Sequence, residues 1–213
     1  SRTATWNGTP GGNSGSGTVE PPPCRTREGF VRITGGYLRG RTIAVPKGNL
    51  EIRPAMDRMR ESVFAVLGDL TGRSFLDLFS GSGILALEAA SRGAFPVECV
   101  EKDREKFPLL LRNVALSDRR IACHRIAAEL YLKRTKDRFS VIFLDPPFPY
   151  GHRAELLTTI SDRGILVPGG LVLLHYPEEN EPPDRCGVLE TTDERKYGRS
   201  RVRFYTRRDE NAP

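Results

Sequence analysis

Cysteine, histidine and long apolar runs are all scarce in this chain of 213 residues. The four cysteines, Cys24, Cys99, Cys123 and Cys186, are too far apart for any C-x-x-C pair, which excludes a zinc knuckle and a dense disulfide framework. The three histidines, His124, His152 and His175, are scattered and form no ligand set, so no metal is expected and structural or surface roles are assigned to them. No stretch approaches the roughly 18 continuous apolar residues of a membrane span, and the N-terminus shows no basic-then-apolar signal pattern. A cytoplasmic monomer with no membrane partner is the expectation.

What is present is enough for one substantial core: 38% hydrophobic and 28% charged side chains. Lys and Arg outnumber Asp and Glu by 33 to 27, a formal charge of +6 that favours a polyanionic partner. Residues 1–28 are rich in Gly, Ser, Thr and Pro and read as a disordered leader, with 209–213 as a tail. In 29–52, Val31, Ile33, Ile43 and Val45 alternate with polar residues around Gly35-Gly36, the pattern of a β-hairpin extension. Helical spacing of Met59, Val63, Phe64, Val66, Leu67 and Leu70 follows, with Asp57 where an N-cap belongs.

The remainder of a domain spanning 53–208 alternates apolar strand-like runs with helical stretches, which predicts a parallel sheet covered by helices. Strands are predicted over 75–79, 97–101, 121–126, 141–145 and 171–176, with helices over 84–92, 104–116, 128–134 and 153–163. Two late strands, 187–191 and 201–205, are separated by the charged stretch 193–198 and would form an antiparallel edge.

The first loop that could hold a ligand is Asp77-Leu78-Phe79-Ser80-Gly81-Ser82-Gly83, an apolar strand running into a glycine turn and then a helix. Gly81 and Gly83 let the backbone bend and approach a ligand, and the helix behind offers N–H donors. Ala86 occupies the third position of a dinucleotide fingerprint, so the spacing leaves NAD open. Asp77, inside the strand, suits a cationic or hydroxyl-bearing ligand better than a pyrophosphate. Glu101, at the end of the next strand some twenty residues on, is placed to accept ribose hydroxyls; Glu98 should face solvent or a helix.

The second loop is Asp145-Pro146-Pro147-Phe148, delivered to the same sheet edge by the apolar Val141-Ile142-Phe143-Leu144. Its prolines stiffen it. An exocyclic amino group on a base is a poor nucleophile because its lone pair is delocalised into the ring. Hydrogen bonds from that group to the Asp145 carboxylate and to a Pro-Pro carbonyl would draw the nitrogen toward tetrahedral geometry, while Phe148 stacks on the base, worth roughly 1–3 kcal/mol. Positioning for in-line displacement lowers a barrier by roughly 7–11 kcal/mol. Hydride transfer has no use for such a loop, so S-adenosylmethionine, with its ammonium and sulfonium, is the expected cofactor. Adenine and guanine, DNA and RNA, remain open on these residues.

The chain resembles the RsmD-type 16S ribosomal RNA methyltransferases. The resemblance spans about 31–207 and rests on Arg32-Ile33-Thr34-Gly35-Gly36 with Arg39-Gly40-Arg41, on Arg53-Pro54-Ala55-Met56-Asp57-Arg58-Met59-Arg60-Glu61, on Asp77 through Gly83, on Leu87-Glu88-Ala89-Ala90-Ser91-Arg92-Gly93-Ala94, and on Asp145 through Phe148. It implies an α/β fold, a Rossmann-like class I methyltransferase sheet, mostly parallel and seven-stranded with the last strand antiparallel, and a small N-terminal β extension that helps hold RNA. It further implies methylation of a guanine N2 in 16S rRNA, the guanine numbered 966, within the small ribosomal subunit or its assembly intermediate. Asp77, Phe79, Gly81, Ser82, Gly83, Glu101 and Ala128 would bind the cofactor. Where the family carries a polar residue for the adenine this chain has Ala127-Ala128, so backbone contacts are expected there.

The arginines Arg32, Arg39, Arg41, Arg53, Arg58 and Arg60 precede the sheet and are expected to bind RNA phosphates. Arg53 or Arg58 has Asp57 or Glu61 as an alternative ion-pair partner. Arg195, Lys196, Arg199 and Arg201 form a second candidate basic surface. The competing readings are an adenine-N6 methyltransferase acting on DNA or RNA, and a non-catalytic RNA-binding assembly factor.

Overall fold

The computed structural model describes residues 28–46 and 53–208. Residues 1–27 of the expected leader, residues 47–52, the side chain of Arg53 and the tail lie outside the described residues. The chain begins with a hairpin, β1 (Glu28–Arg32) and β2 (Thr42–Pro46), paired antiparallel with Val31 opposite Ile43. Helix α1 (Arg53–Leu67) follows. It starts a turn earlier than the sequence pattern indicates: Pro54 suits a first helical turn, and Asp57 lies inside the helix, where it pairs with Arg60 at 3.1 Å instead of capping.

Strands and helices then alternate: β3 (Phe75–Leu78), α2 (Ile84–Ser91), β4 (Val97–Val100), α3 (Phe107–Val114), β5 (Ile121–His124), α4 (Ala128–Arg134), β6 (Phe139–Leu144), α5 (Arg153–Asp162) and β7 (Leu166–Pro177). The edge is completed by β8 (Arg185–Cys186), β9 (Leu189–Tyr197) and β10 (Ser200–Arg207). The sheet order is β5-β4-β3-β6-β7-β10-β9-β8, parallel from β5 through β7, with β10 antiparallel to both β7 and β9. This is the expected mostly parallel sheet with its last strand antiparallel, extended at one edge by the two-residue β8.

The charged stretch taken as a break between the late strands is strand. Residues 193–197 continue β9 because β10 supplies their counter-charges: Glu194 accepts from Arg201 at 2.6 Å and from Arg203 at 2.7 Å. Ion pairs also neutralise much of the second basic surface, Arg195 with Asp193, Lys196 with Glu178 and Arg201 with Glu178 and Glu194, while Arg199 stays exposed.

Alternation along the strands produces two cores. Phe75, Val97, Cys99, Val141 and Phe143 face α1, α2 and α3, packing on Met59, Val63, Phe64, Ala86 and Leu110. Leu76, Leu78, Ile142, Leu144, Val172 and Leu174 face α4 and α5, packing on Leu132, Leu156, Leu157 and Ile160. Among the described residues no helix is long and apolar enough to cross a membrane.

The hairpin is fastened to this body by a small apolar cluster, in which Ile33, Leu38 and Ile43 pack on Leu87 of α2, and by polar contacts. Glu88 on α2, fully buried, accepts from the backbone N–H of Thr34 at 2.7 Å and from its hydroxyl at 2.8 Å, and it faces Arg60 at 3.3 Å and Arg92 at 3.4 Å. Gly36, at φ +74°, has to be glycine, since a Cβ there would fall 1.7 Å from the Ser91 carbonyl oxygen. Asn113 of α3 completes the attachment, donating to the carbonyls of Ala44 in β2 (2.7 Å) and Ser82 in the glycine turn (2.8 Å). Replacing Glu88 by Ala leaves two guanidinium groups without their shared partner and should cost about 3–5 kcal/mol, as breaking a buried ion pair does. Urea unfolding of Glu88→Ala measures this, and a loss under about 1 kcal/mol would contradict the assignment.

Candidate active site

Strand order reverses between β3 and β6: the chain leaves β3 toward β4 and β5 on one side, then returns to β6 and β7 on the other. At such a switch point the loops leaving adjacent strands diverge and open a crevice at their carboxyl ends. The two loops that flank it are the glycine turn after β3 and the Asp145 loop after β6, which stay joined by a hydrogen bond from Asp145 N–H to the Leu78 carbonyl at 3.3 Å.

In the glycine turn Phe79 adopts φ +68° and Gly81 φ +52°. The Ser80 hydroxyl donates to the Asp77 carbonyl at 2.7 Å and accepts from Val100 N–H at 3.0 Å, clamping the turn to β4. A Cβ on Gly81 would meet nothing within 4 Å, whereas one on Gly83, at φ +79°, would lie 2.6 Å from Leu110. Gly83 therefore serves close packing of α3, and Gly81 borders open space. Glu101 accepts from Gly81 N–H at 2.9 Å and from Asp103 N–H at 2.8 Å, so its carboxylate is fixed beside the turn.

Asp77 is placed differently from the expectation. It is fully buried beneath the loop rather than in the crevice wall, because β3 turns it to the same face as Phe75. Neither of its carboxylate oxygens has a hydrogen-bond partner. Burial, then the neighbouring Asp145 and Glu101 carboxylates, pushes its carboxyl well above the usual range. The Ala128 side chain also points into the core, which leaves only backbone at that position for a ligand, as the Ala127-Ala128 pair suggests.

The loop after β6 is held rigid from behind. Buried Arg153 donates to the carbonyls of Pro147 (3.2 Å), Phe148 (2.8 Å) and Tyr150. Pro147 also accepts from Tyr150 N–H at 2.8 Å. Of the two proline carbonyls, that of Pro147 is thereby already engaged within the protein. Phe148 is 39% exposed, a large ring presented at the surface. Tyr150 packs edge-on against Phe79 at 5.2 Å and donates to Glu129, joining the two loops on their outer side.

Between the loops and the hairpin lies a cavity of about 450 Å³, walled by Phe79–Ser82, Asp145, Met56, Met59 and Arg60 of α1, and Val31 and Val45 of the hairpin. The hairpin is thus part of the site. Of the arginines expected to meet phosphate, Arg32, Arg39, Arg41 and Arg58 are exposed. Arg32 and Arg58 adjoin the cavity-lining Val31, Asp57 and Met59 along the chain. Arg60 requires correction: only 6% exposed, it is held by Asp57, by Glu88 and by the Arg32 carbonyl at 3.2 Å, and so braces the hairpin. Glu88, Asn113 and Arg153 carried no recognised role in the sequence, and His175, assigned a structural or surface role, proves to contact Asp145 at 2.7 Å. Glu98 meets Tyr131 of the neighbouring helix, as anticipated.

The open Gly81 backbone, the oriented Glu101 carboxylate and the acid-rich crevice fit an adenosine-bearing ligand with a cationic tail. Among the described residues no group of three His, Cys, Asp or Glu could hold a metal ion. The buried, unsatisfied Asp77 has a measurable signature. Folding raises its proton affinity, so it makes the ligand-free protein less stable as pH rises from the ordinary carboxylate range toward neutrality. Asp77→Asn should raise the urea midpoint at pH 8 and raise it less at pH 5; a gain that grows toward pH 5 would contradict this environment.

Comparison with known proteins agrees with the geometry. The family model described as Conserved hypothetical protein 95 matches residues 31–206. Ribosomal RNA small subunit methyltransferase D of Escherichia coli (strain K12) is 32% identical over 189 residues, covering 87% of this chain and 94% of that protein. The protein of the same name from Haemophilus influenzae is 32% identical over 165 residues, covering 73% and 82%. Among solved structures, "Putative methyltransferase yhhF" from Escherichia coli superposes with a TM-score of 0.76 at 31% identity, covering 84% of this chain and 99% of the other. The chain belongs to the RsmD-type methyltransferase family.

Proposed function

We propose that this protein transfers a methyl group from S-adenosylmethionine to the exocyclic N2 amino group of a guanine in 16S rRNA, the guanine numbered 966, within the small ribosomal subunit or its assembly intermediate. The observation that carries the reading is the meeting of the Gly81 turn, Asp145 and the hairpin around one cavity. The cofactor, when bound, supplies a methyl group made electrophilic by its sulfonium. Glu101 would hold the ribose hydroxyls, the Gly81 backbone would border the cofactor, and the chain at Ala128 would meet the adenine. A cationic ligand above the turn would favour the charged form of Asp77, which burial otherwise disfavours.

On the substrate side, the Asp145 carboxylate and the Pro146 carbonyl accept the two N–H hydrogens of the amino group, so its lone pair turns out of the base plane. Exposed Phe148 stacks on that base. Arg153 keeps the acceptors in place, and a misplacement of about 1 Å costs about 10²-fold in rate. No strong base is required, since the nitrogen gives up its proton after the methyl group arrives. Arg32, Arg39, Arg41, Arg53 and Arg58 would meet RNA phosphates, positioning the target without reading its sequence. A protein of this reach suits a base already splayed from a loop, because unstacking costs a few kcal/mol. The relatives named for ribosomal RNA of the small subunit support this substrate over DNA.

Small subunits lacking the modification, incubated with labelled cofactor and digested to nucleosides, should yield N2-methylguanosine. Asp145→Ala should lower the turnover at least about 10²-fold while RNA affinity stays near that of the parent. N6-methyladenosine as the product would overturn the guanine assignment, and an unchanged rate in Asp145→Ala would overturn the catalytic one. Arg32→Ala together with Arg58→Ala should weaken RNA binding and flatten its dependence on salt by about two units of log–log slope; an unchanged slope would remove these two residues from the RNA surface.

A further inference from the structure

His175 lies near the end of β7, 1% exposed, and is flanked by polar partners on both ring nitrogens. Its Nδ1 is 2.7 Å from Asp145 Oδ1 and its Nε2 is 2.8 Å from Ser200 Oγ. The Ser200 hydroxyl has one hydrogen, which it donates to the Tyr197 carbonyl at 3.0 Å. Ser200 thus joins the imidazole edge to the β9 backbone. A ring nitrogen lone pair facing a carboxylate oxygen at 2.7 Å would be repulsive, so Nδ1 is the nitrogen that donates to Asp145 Oδ1. The same ring meets Phe148 edge-on, with centroids 5.6 Å apart.

We infer that His175 is a positioning residue for the Asp145 loop: through Nδ1 it fixes which carboxylate oxygen faces the substrate, and through its ring it sets the resting place of Phe148. This deepens the amino-group methylation reading and rests on it. With Oδ1 engaged by His175, the carboxylate cannot rotate freely, and Oδ2 is the oxygen presented to an N–H. Ser200, anchored in the tight turn between β9 and β10, keeps the imidazole from turning. The order of support runs from Tyr197 and Ser200 through His175 to Asp145, linking the antiparallel edge of the sheet to the catalytic loop. His175 moves no proton in the reaction under this account; its contribution is geometry, of the kind on which near-attack positioning depends.

The test uses the full chain with unmodified small subunits at saturating cofactor. His175→Leu should lower kcat about 10²-fold with the cofactor KM and the RNA affinity unchanged. His175→Asn, whose amide nitrogen can donate where Nδ1 does, should recover most of that loss. In the parent protein a far-downfield proton resonance attached to His175 Nδ1 is expected, and it should vanish in Asp145→Ala. A parental kcat in His175→Leu, with Asp145→Ala inactive, would overturn the role of His175 and leave that of Asp145 intact. Parental turnover in Asp145→Ala would instead overturn the catalytic assignment of the Asp145 loop, on which the role of His175 rests. Should His175→Leu not fold, the resonance decides: an Nδ1 that carries no proton in the folded parent overturns the inference.

Discussion

A carboxylate with no access to water organises this molecule. Glu88 sits on α2 and meets a backbone amide and hydroxyl of the hairpin, an arginine of α1 and an arginine at the end of its own helix. Alone, a buried carboxylate is destabilising by several kcal/mol; here its partners come from three separate parts of the chain, so all three have to be in place together. That requirement brings Val31 and Val45 over the glycine turn and gives the cavity its fourth wall.

The charge distribution follows a similar logic. Asp77, Asp145 and Glu101 gather at the carboxyl edge of β3, β6 and β4, near enough that Asp145 and Glu101 both raise the Asp77 carboxyl. Such a cluster disfavours anionic ligands and favours a sulfonium and an ammonium. Exposed arginines stand outside it, on the hairpin and α1. A polyanion is thereby drawn to the rim while a cation is favoured within, an arrangement suited to a nucleic-acid substrate and a cationic cofactor in one site.

Much of this was legible from residue order. The alternation of apolar strands with helices gave the sheet, because each strand and helix carries its own period. Both site loops could be read since each is a continuous run of residues with distinctive backbone demands. What escaped depends on partners far along the chain. Thr34 and Glu88 are 54 residues apart, Ala44 and Asn113 are 69 apart, and Asp145 and His175 are 30 apart. Nothing local distinguishes Arg60 from Arg58, yet one faces inward to two carboxylates and the other faces solvent. The charged residues 193–197 looked like a loop for the same reason, since Arg201 and Arg203 supply their counter-charges only once β10 folds back.

The proposed reaction requires the Asp145 loop and the arginine-bearing hairpin to act on one base of small-subunit RNA. Mass-spectrometric mapping of the methylated nucleotide, after this protein and S-adenosylmethionine are added to unmodified small subunits, tests it most directly. The expected product carries a single methyl group, on the N2 of the guanine numbered 966. A methyl group on an adenine, on several unrelated guanines, or on no nucleotide at all would contradict it.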